Sequence, residues 1–420
     1  MRILLVTQYF WPESFVINQL VTTLAEKGHH IVVLTGKPNY PEGEVYSGYQ
    51  KHGVQYETMG DVKIIRVPLR PRKSASAKAL ILNYFSFIWS GLIRFPFLVR
   101  NKQFDEIFVY APSPITSAIP AILLKYIKRA HLSIWVQDLW PESLSATGFI
   151  KNKFVLKSTG LLVRFIYAAA DTLLVQSKAF IEPVSALSSK DKIVYFPNSM
   201  NNIEQLKCES VNLLPLYLEE YLDNHFSLVF AGNIGKAQSI ETLIGAAQQL
   251  VDFPKIRIVV VGSGSMLEWA KNEVQDRALK NIVFTGSFPI EVMPPLFAKA
   301  KALLVSLTSQ KIFTYTIPAK VQAYMSAGRP IIASIDGEAA RVIEEAQAGL
   351  TCPAEDYQAL AARIVQFFYM SEPERNIIAD NSKRYFLENY EINQQCEKLV
   401  EILQKKLNLR DRYQNKKHSF

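Results

Sequence analysis

A chain of 420 residues, 49% hydrophobic and 20% charged, has the composition of a soluble globular protein and the length of two or three domains with sizeable cores. Its three isolated cysteines, Cys208, Cys352 and Cys396, exclude a disulfide framework or a zinc pattern and suit a reducing compartment. The formal net charge of +9 sits in the first half, where residues 1–210 carry 24 Lys+Arg against 15 Asp+Glu, while residues 211–420 carry 23 of each.

The chain opens "MRILLVTQYFWPESFVINQL", in which Arg2–Val6 predicts a strand and Phe15–Leu24 a helix. The first apolar run is too short and too strand-like for a signal peptide. A dinucleotide-binding turn at this place needs glycines for close approach to a pyrophosphate, yet Gln8, Tyr9, Phe10, Trp11, Pro12 and Glu13 stand there. Apolar runs at Ile31–Thr35, Val62–Val67, Glu106–Ala111, Leu132–Val136, Thr172–Gln176 and Lys192–Phe196 predict buried parallel strands. Helical segments such as "ITSAIPAILLKYIKRA" fill the gaps, so the pattern is an α/β, doubly wound sheet.

One stretch stands apart. Val62–Phe104 carries nine basic residues (Lys63, Arg66, Arg70, Arg72, Lys73, Lys78, Arg94, Arg100, Lys102) and no acidic one, around the aromatic-rich run Ala79–Val99. Such a pattern points to contact with an anionic membrane surface. A core helix with solvated basic ends is the plainer alternative. A transmembrane span is a third reading, weakened by Asn83, two serines and Arg94.

The rhythm breaks over residues 199–225, then restarts with strands in Phe226–Gly235, Ile256–Ser265, Asn281–Phe288, Lys301–Leu307 and Pro330–Ser334. The expected organisation is a Rossmann-like domain over 1–200, a linker over 201–224, a second Rossmann-like domain over 225–385, and a helix with a basic tail over 386–420 that returns toward the first domain. Two glycine turns follow the opening strands of the second domain. Gly232-Asn233-Ile234-Gly235-Lys236 offers backbone approach, a helix N-terminus and a cation to an anion. Gly262 and Gly264 form the second turn. Further on, Thr314, Thr316 and Pro318 precede Lys320 at a helix start, and Asp336-Gly337-Glu338 precedes another helix. Polar turns at successive strand ends make a ligand crevice.

Seven motifs in order, "QYFWPE" (8–13), "GKPNYPEG" (36–43), "VQDLWPES" (136–143), "FPNSM" (196–200), "AGNIGKAQ" (231–238), "IPAKVQAYMSAGRPI" (317–331) and "IDGEAARVI" (335–343), resemble the family 4 glycosyltransferases. The likeness is to the bacterial surface-polysaccharide group, with O-antigen and colanic-acid type and fucosamine transferases. The resemblance implies the GT-B fold, two Rossmann-like doubly wound domains facing across a cleft. It also implies a nucleotide-sugar donor held by the second domain, a lipid-linked glycan acceptor held by the first, retaining transfer, and no metal or other cofactor. A UDP-linked N-acetylated deoxy sugar such as N-acetylfucosamine is the donor it suggests. The site would lie on the cytoplasmic face of the membrane, without nucleic acid.

In this frame Gly232, Asn233, Gly235, Lys236, Gly262, Gly264, Ser287, Thr316, Pro318, Lys320, Gly337 and Glu338 are donor-binding candidates. Tyr9, Phe10, Trp11, Tyr40 and Trp140 are acceptor-side candidates. Cleaving a sugar–diphosphate bond places negative charge on the leaving group, so Lys320 and Lys236 are catalytic candidates. Asp138 and Glu13, each after a strand, are candidate bases for the acceptor hydroxyl, with helix capping as their duller role. Two departures from the family are plain: the usual pair of glutamates is replaced by Tyr315 and Ala323, and the usual Arg and Lys of the phosphate turn by Asn233 and Gln238. A nucleotide-sugar 2-epimerase, a dinucleotide oxidoreductase and a non-catalytic polysaccharide-assembly protein are the competing functions. The first lacks a visible carboxylate–histidine cluster, and the second a Gly-x-Gly-x-x-Gly turn with its acidic partner.

Overall fold

Apolar runs of four to seven residues can satisfy their backbone groups and both side-chain faces only inside a sheet covered on each side. The computed structural model describes residues 1–72, 77–146, 152–203 and 214–417 and arranges these runs in two sheets. Lys73, Cys208 and residues 204–213 of the expected linker lie outside the described residues. The chain divides into two compact units, Met1–Ser199 with Ile392–Phe420, and Met200–Glu391.

In the first unit the strands are β1 (Arg2–Val6), β2 (His30–Gly36), β3 (Gln55–Met59), β4 (Val62–Val67), β5 (Glu106–Ala111), β6 (His131–Val136), β7 (Thr172–Val175) and β8 (Ile193–Tyr195). They lie in the order β3-β4-β2-β1-β5-β6-β7-β8. Every pairing is parallel except β3 with β4. Sequence reading misses β3, whose "QYETM" has no apolar run; it is an edge strand that holds Glu57 beside Arg66. The order reverses at β1, which pairs with β2 on one side and β5 on the other. Loops at the carboxyl ends of such strands form the ligand edge of a doubly wound sheet.

The second unit contains β9 (Phe226–Ala231), β10 (Ile256–Val261), β11 (Ile282–Gly286), β12 (Ala302–Ser306), β13 (Ile331–Ser334) and β14 (Gly349–Cys352), all parallel, in the order β11-β10-β9-β12-β13-β14. This is the Rossmann order, with its switch point between β9 and β12. Alternate residues feed two cores. Val229, Val259, Leu303 and Ile331 face one, and Leu228, Phe230, Ile258 and Leu304 the other. The expected linker is corrected here: Leu216–Asn224 is a helix whose Leu218 and Leu222 are buried in the first of these cores. The helix Glu372–Asn389 also stays in this unit, packed on the helix Ala319–Ser326.

The last helix, Ile392–Lys417, belongs to the first unit. Its Ile392, Cys396, Leu399 and Leu403 are buried with Ile17, Leu20, Val21 and Leu24 of the helix Val16–Glu26 over β1, β2 and β5. Lys27 and Glu397 close the contact at 2.8 Å. Leu399→Ala should therefore cost about 2–5 kcal/mol, whereas the exposed neighbour Glu401→Ala costs almost nothing. Urea unfolding followed by tryptophan fluorescence reads this, since Trp11, Trp89, Trp135 and Trp140 all lie in the first unit and only Trp269 in the second. An unchanged midpoint for Leu399→Ala would mean that the helix does not complete that core.

Candidate functional site

In the second unit the site is built from two glycine turns pressed together. Gly232 follows β9 with φ 142°, and Gly262 follows β10 with φ 144°, conformations open to glycine alone. Hydrogen bonds join the turns: Gly232 N–H donates to the Val261 carbonyl (2.9 Å), and Ile234 N–H to the Ser263 carbonyl (2.8 Å). A Cβ on Gly262 would fall 1.8 Å from the Gly232 oxygen, and one on Gly264 would fall 2.4 Å from the Ile234 oxygen. These two glycines are thus demanded by backbone packing, and they set the wall on which a ligand can lie. Gly232, Asn233, Gly262 and Ser287, with Val261, Ser263, Phe288 and Met293, line an open cavity of about 340 Å³.

Lys320 stands directly behind this wall. The preceding Pro318 caps the helix Ala319–Ser326, so Lys320 is its second residue. Its Nζ lies 3.8 Å from the centre of the Phe230 ring and 3.4 Å from where a Cβ on Gly232 would be. The ammonium is buried and has no hydrogen-bond partner. Burial pulls its pKa down to about 7, because an unpaired cation is poorly solvated there. Glycine at 232 leaves no side chain between this group and the cavity.

The other donor candidates are placed as follows. Lys236 is exposed in a single turn, Lys236–Gln238, that leads into the helix Ile240–Gln249. Gly235, with extended backbone, lies against the Asn233 side chain. Thr316 is half-buried after the turn Lys311–Tyr315. Gly337, with φ 74°, packs so closely that a Cβ would meet the Thr314 oxygen at 2.3 Å; it seats the helix Glu338–Glu345 on that turn. Lys236, Thr316, Gly337 and Glu338 are not in the cavity lining. Glu338 is corrected as a free donor contact: it is buried, and both its oxygens accept from Arg341, each at 2.9 Å.

In the first unit, loops after β1, β2 and β6 carry the acceptor-side candidates. Glu13 is fully buried, and its carboxylate accepts from the N–H groups of Phe10 (3.1 Å), Asn39 (2.8 Å) and Tyr40 (2.8 Å). Burial raises its pKa while those three donors oppose the rise. Its oxygens are spent on tying the β1 loop to the β2 loop, which corrects its reading as a base. Beside it, Arg66 is buried and donates to Glu57, to the Gly36 carbonyl (3.2 Å) and to the Trp11 carbonyl. Sequence reading counts Arg66 only as basic; its signal is a charge at an inward position of "VKIIRV".

Asp138 follows β6 half-buried, its Oδ2 accepting from Ser143 Oγ (3.0 Å) and Trp140 Nε1 (3.2 Å). Burial raises its pKa against those hydrogen bonds, the direction that suits a proton acceptor at neutral pH. Trp140 is buried against Tyr84 at 6.4 Å. Phe10 is corrected as an acceptor contact, being wholly enclosed in the core with Ile17 and Val33. Tyr9 is also buried, stacked on Phe15 at 5.6 Å. Trp11 and Tyr40 are more than a third exposed. Among the described residues no group of three or more His, Cys, Asp or Glu gathers to hold a metal.

Two Rossmann-type units with ligand turns on their sheet edges define a glycosyltransferase of the GT-B fold. The chain belongs to that family: residues 14–199 match the profile described as "Glycosyl transferase 4-like domain", and residues 225–369 the one described as "Glycosyl transferases group 1". It is similar to the probable glycosyltransferase WbjE of Pseudomonas aeruginosa, 29% identical over 64% of this chain and 67% of the relative. It is similar also to the putative colanic acid biosynthesis glycosyl transferase WcaI of Escherichia coli, 23% identical over 86% and 89%. Among solved structures, sucrose-phosphate synthase of Thermosynechococcus elongatus aligns with a TM-score of 0.72 at 16% identity, over 96% of this chain and 98% of the other. Anabaena HepE in complex with UDP aligns with a TM-score of 0.65 at 14% identity, over 96% and 100%.

A buried lysine with a depressed pKa destabilises the fold at low pH. Above about pH 7 the folded chain has released the proton that the unfolded chain keeps up to the ordinary lysine pKa of 10.5, so stability rises with pH across that window. Lys320→Met should remove this rise. It should melt above the parent at pH 6, the gap narrowing steadily toward pH 10. A lower melting temperature for Lys320→Met at pH 6 would show that the ammonium is satisfied after all.

Proposed function

We propose that this glycosyltransferase moves a sugar from a nucleoside-diphosphate donor to a lipid-linked glycan acceptor in the synthesis of a bacterial surface polysaccharide. The observation that carries the reading is the Lys320 ammonium, buried, without a hydrogen-bond partner, and set behind Gly232, which lines an open cavity. A leaving diphosphate supplies the charge that this cation lacks. UDP in the HepE structure and the polysaccharide role in the name of WcaI support the same choice of donor and pathway class. The N-acetylated deoxy sugar and the retaining course rest on the motif resemblance.

The chemistry follows from where charge develops. As the anomeric bond breaks, the diphosphate gains negative charge, and a fixed cation stabilises it more than it stabilises the intact donor. Diphosphate near Nζ pulls the lysine pKa back up, so the group is protonated when it is needed. Lys236 adds a second, solvated cation after the same glycine turn. Asp138 is the group in the first unit suited to accept the acceptor's proton, with Ser143 and Trp140 holding one oxygen.

Lys320→Ala should lower turnover by roughly 10²–10³, the effect of losing one oxyanion-type donor, while Lys236→Ala loses less because its charge is shared with solvent. Turnover and donor affinity of both variants, measured with a panel of UDP- and GDP-sugars, decide this. Full turnover in a folded Lys320→Ala would displace the diphosphate from this turn.

The helix Ala77–Leu98 of the first unit is the membrane contact in this reading. It buries Asn83, Phe87, Gly91 and Phe95 in the protein, with Gly91 allowing close approach of Pro120. The opposite stripe, Ile81, Phe85, Trp89, Ile93 and Phe97, faces outward, with Phe85, Trp89 and Phe97 64–72% exposed. By length and composition alone, Lys78–Leu98 could cross a membrane; one face packed in a protein core instead fits lying on its surface. Exposed Lys63, Arg70, Lys78 and Arg100 supply attraction to anionic lipid, whereas Arg66 is committed to Glu57. Sedimentation with phosphatidylglycerol and with phosphatidylcholine vesicles should show preference for the former, weakening with salt. Trp89→Glu with Phe97→Glu should abolish binding to both. Equal sedimentation with the two lipids, or none, rejects the contact.

A further inference from the structure

Arg72 is a second cation with a donor that the fold leaves unpaired, and it lies in the first unit. After β4 the backbone is fastened to the helix Ala77–Leu98: Asn83 Nδ2 donates to the Arg70 carbonyl (2.7 Å), and Arg70 N–H donates to Ser86 Oγ (2.8 Å). Asn83 is itself fixed by Gln8, whose Nε2 donates to its Oδ1 at 2.6 Å. This bracing presents the guanidinium of Arg72 against two rings, 4.9 Å from the centre of Tyr40 and 5.6 Å from that of Tyr9. Its Nε is buried and has no hydrogen-bond partner.

Arg66 shows how this protein treats an arginine that only braces loops: Glu57 and two carbonyls take up its donors. Arg72 instead lies against two rings, with its side chain in reach of the Tyr9 hydroxyl and its buried Nε left without a hydrogen-bond partner. Aromatic faces hold a guanidinium flat and weakly hydrated, the state in which its fork best meets a phosphate. Tyr84, next to Asn83 on the same helix, leads toward Asp138: its ring lies 6.4 Å from that of Trp140, whose Nε1 donates to Asp138.

We propose that Arg72 binds a phosphate or diphosphate carried by the acceptor, so that the acceptor is a sugar phosphate ester whose sugar reaches toward Asp138. The assignment rests on the glycosyl-transfer reading above and names the acceptor's chemical class. The ester can be lipid-linked or soluble; the chemistry at Arg72 is the same.

The test is a set of titrations on the full chain with the donor turn filled by saturating UDP. The probes are farnesyl diphosphate, farnesol and N-acetylglucosamine 1-phosphate. Farnesyl diphosphate should bind more tightly than farnesol, and Arg72→Met should weaken it roughly 10- to 100-fold, the worth of a charged hydrogen bond. Farnesol binding should not change. Arg72→Lys should recover part of the affinity by keeping the charge without the fork, and Arg72→Gln serves if the methionine variant does not fold. The same dependence for N-acetylglucosamine 1-phosphate assigns the site to sugar phosphates in general; binding of farnesyl diphosphate alone assigns it to a lipid-linked acceptor. Loss of farnesol and farnesyl diphosphate in equal measure, or no loss of either, overturns the proposal and makes Arg72 a support for the tyrosines. UDP affinity, read first in each titration, belongs to Lys320. If UDP fails to bind, the donor reading falls, and Arg72 is judged on its own probes.

Discussion

The second unit depends on two backbone turns that touch without side chains between them. The carbonyl of Gly232 occupies the space where any residue other than glycine at 262 would begin its side chain. That contact fixes the cavity wall, and it has a second effect: with glycine at 232 the Lys320 ammonium has an opening and no local partner. A buried cation of this kind costs stability in the empty protein and regains it when an anion arrives. Under the donor reading proposed above, part of the folding energy is traded for a site that is ready before the ligand binds, which is how preorganised electrostatics works.

The first unit solves a different problem, that of holding several long loops still on one sheet edge. It uses buried charges as fasteners. Glu13 gathers three N–H groups from two loops, and Arg66 gathers the Trp11 carbonyl of the β1 loop, the Gly36 carbonyl at the end of β2 and Glu57 of β3. A carboxylate or guanidinium satisfied this fully is tolerated in the interior and fixes geometry as well as energy. The rings of Tyr9, Phe15 and Tyr40, 5.5–5.7 Å apart, pack between the fastened loops. The phosphate turn expected after the first strand is thus replaced by a braced, aromatic one.

Strand positions and unit type were legible because buried parallel strands write themselves as continuous apolar runs, and all eleven such runs noted beyond β1 became strands. What escaped had no such run: β3 is a polar edge, and β14 spans four residues, "GLTC". At the site, glycine and lysine positions could be read from their place after strands. The roles of Glu13 and Glu338 could not, because a carboxylate that reacts and one that ties backbone or an arginine look alike in sequence. The same holds for aromatics, where Trp11 is exposed and its neighbour Phe10 is sealed in the core. Arg66 and Arg72 differ by six positions and counted equally as charge, yet one gives its donors to Glu57 and two carbonyls and the other keeps a buried Nε without a hydrogen bond.

The return of the final helix to the first unit sets an order on biosynthesis. A growing chain emerging from the ribosome completes Met200–Glu391 before it completes the unit that began first, because Leu399 and Leu403 are still to be made. Until then Leu20 and Leu24 lack their cover, and an open apolar helix face is what chaperones and neighbouring chains recognise. The enzyme's first half is thereby completed after its second, and removal of residues 392–403 wounds the amino-terminal core while sparing the second unit's sheet.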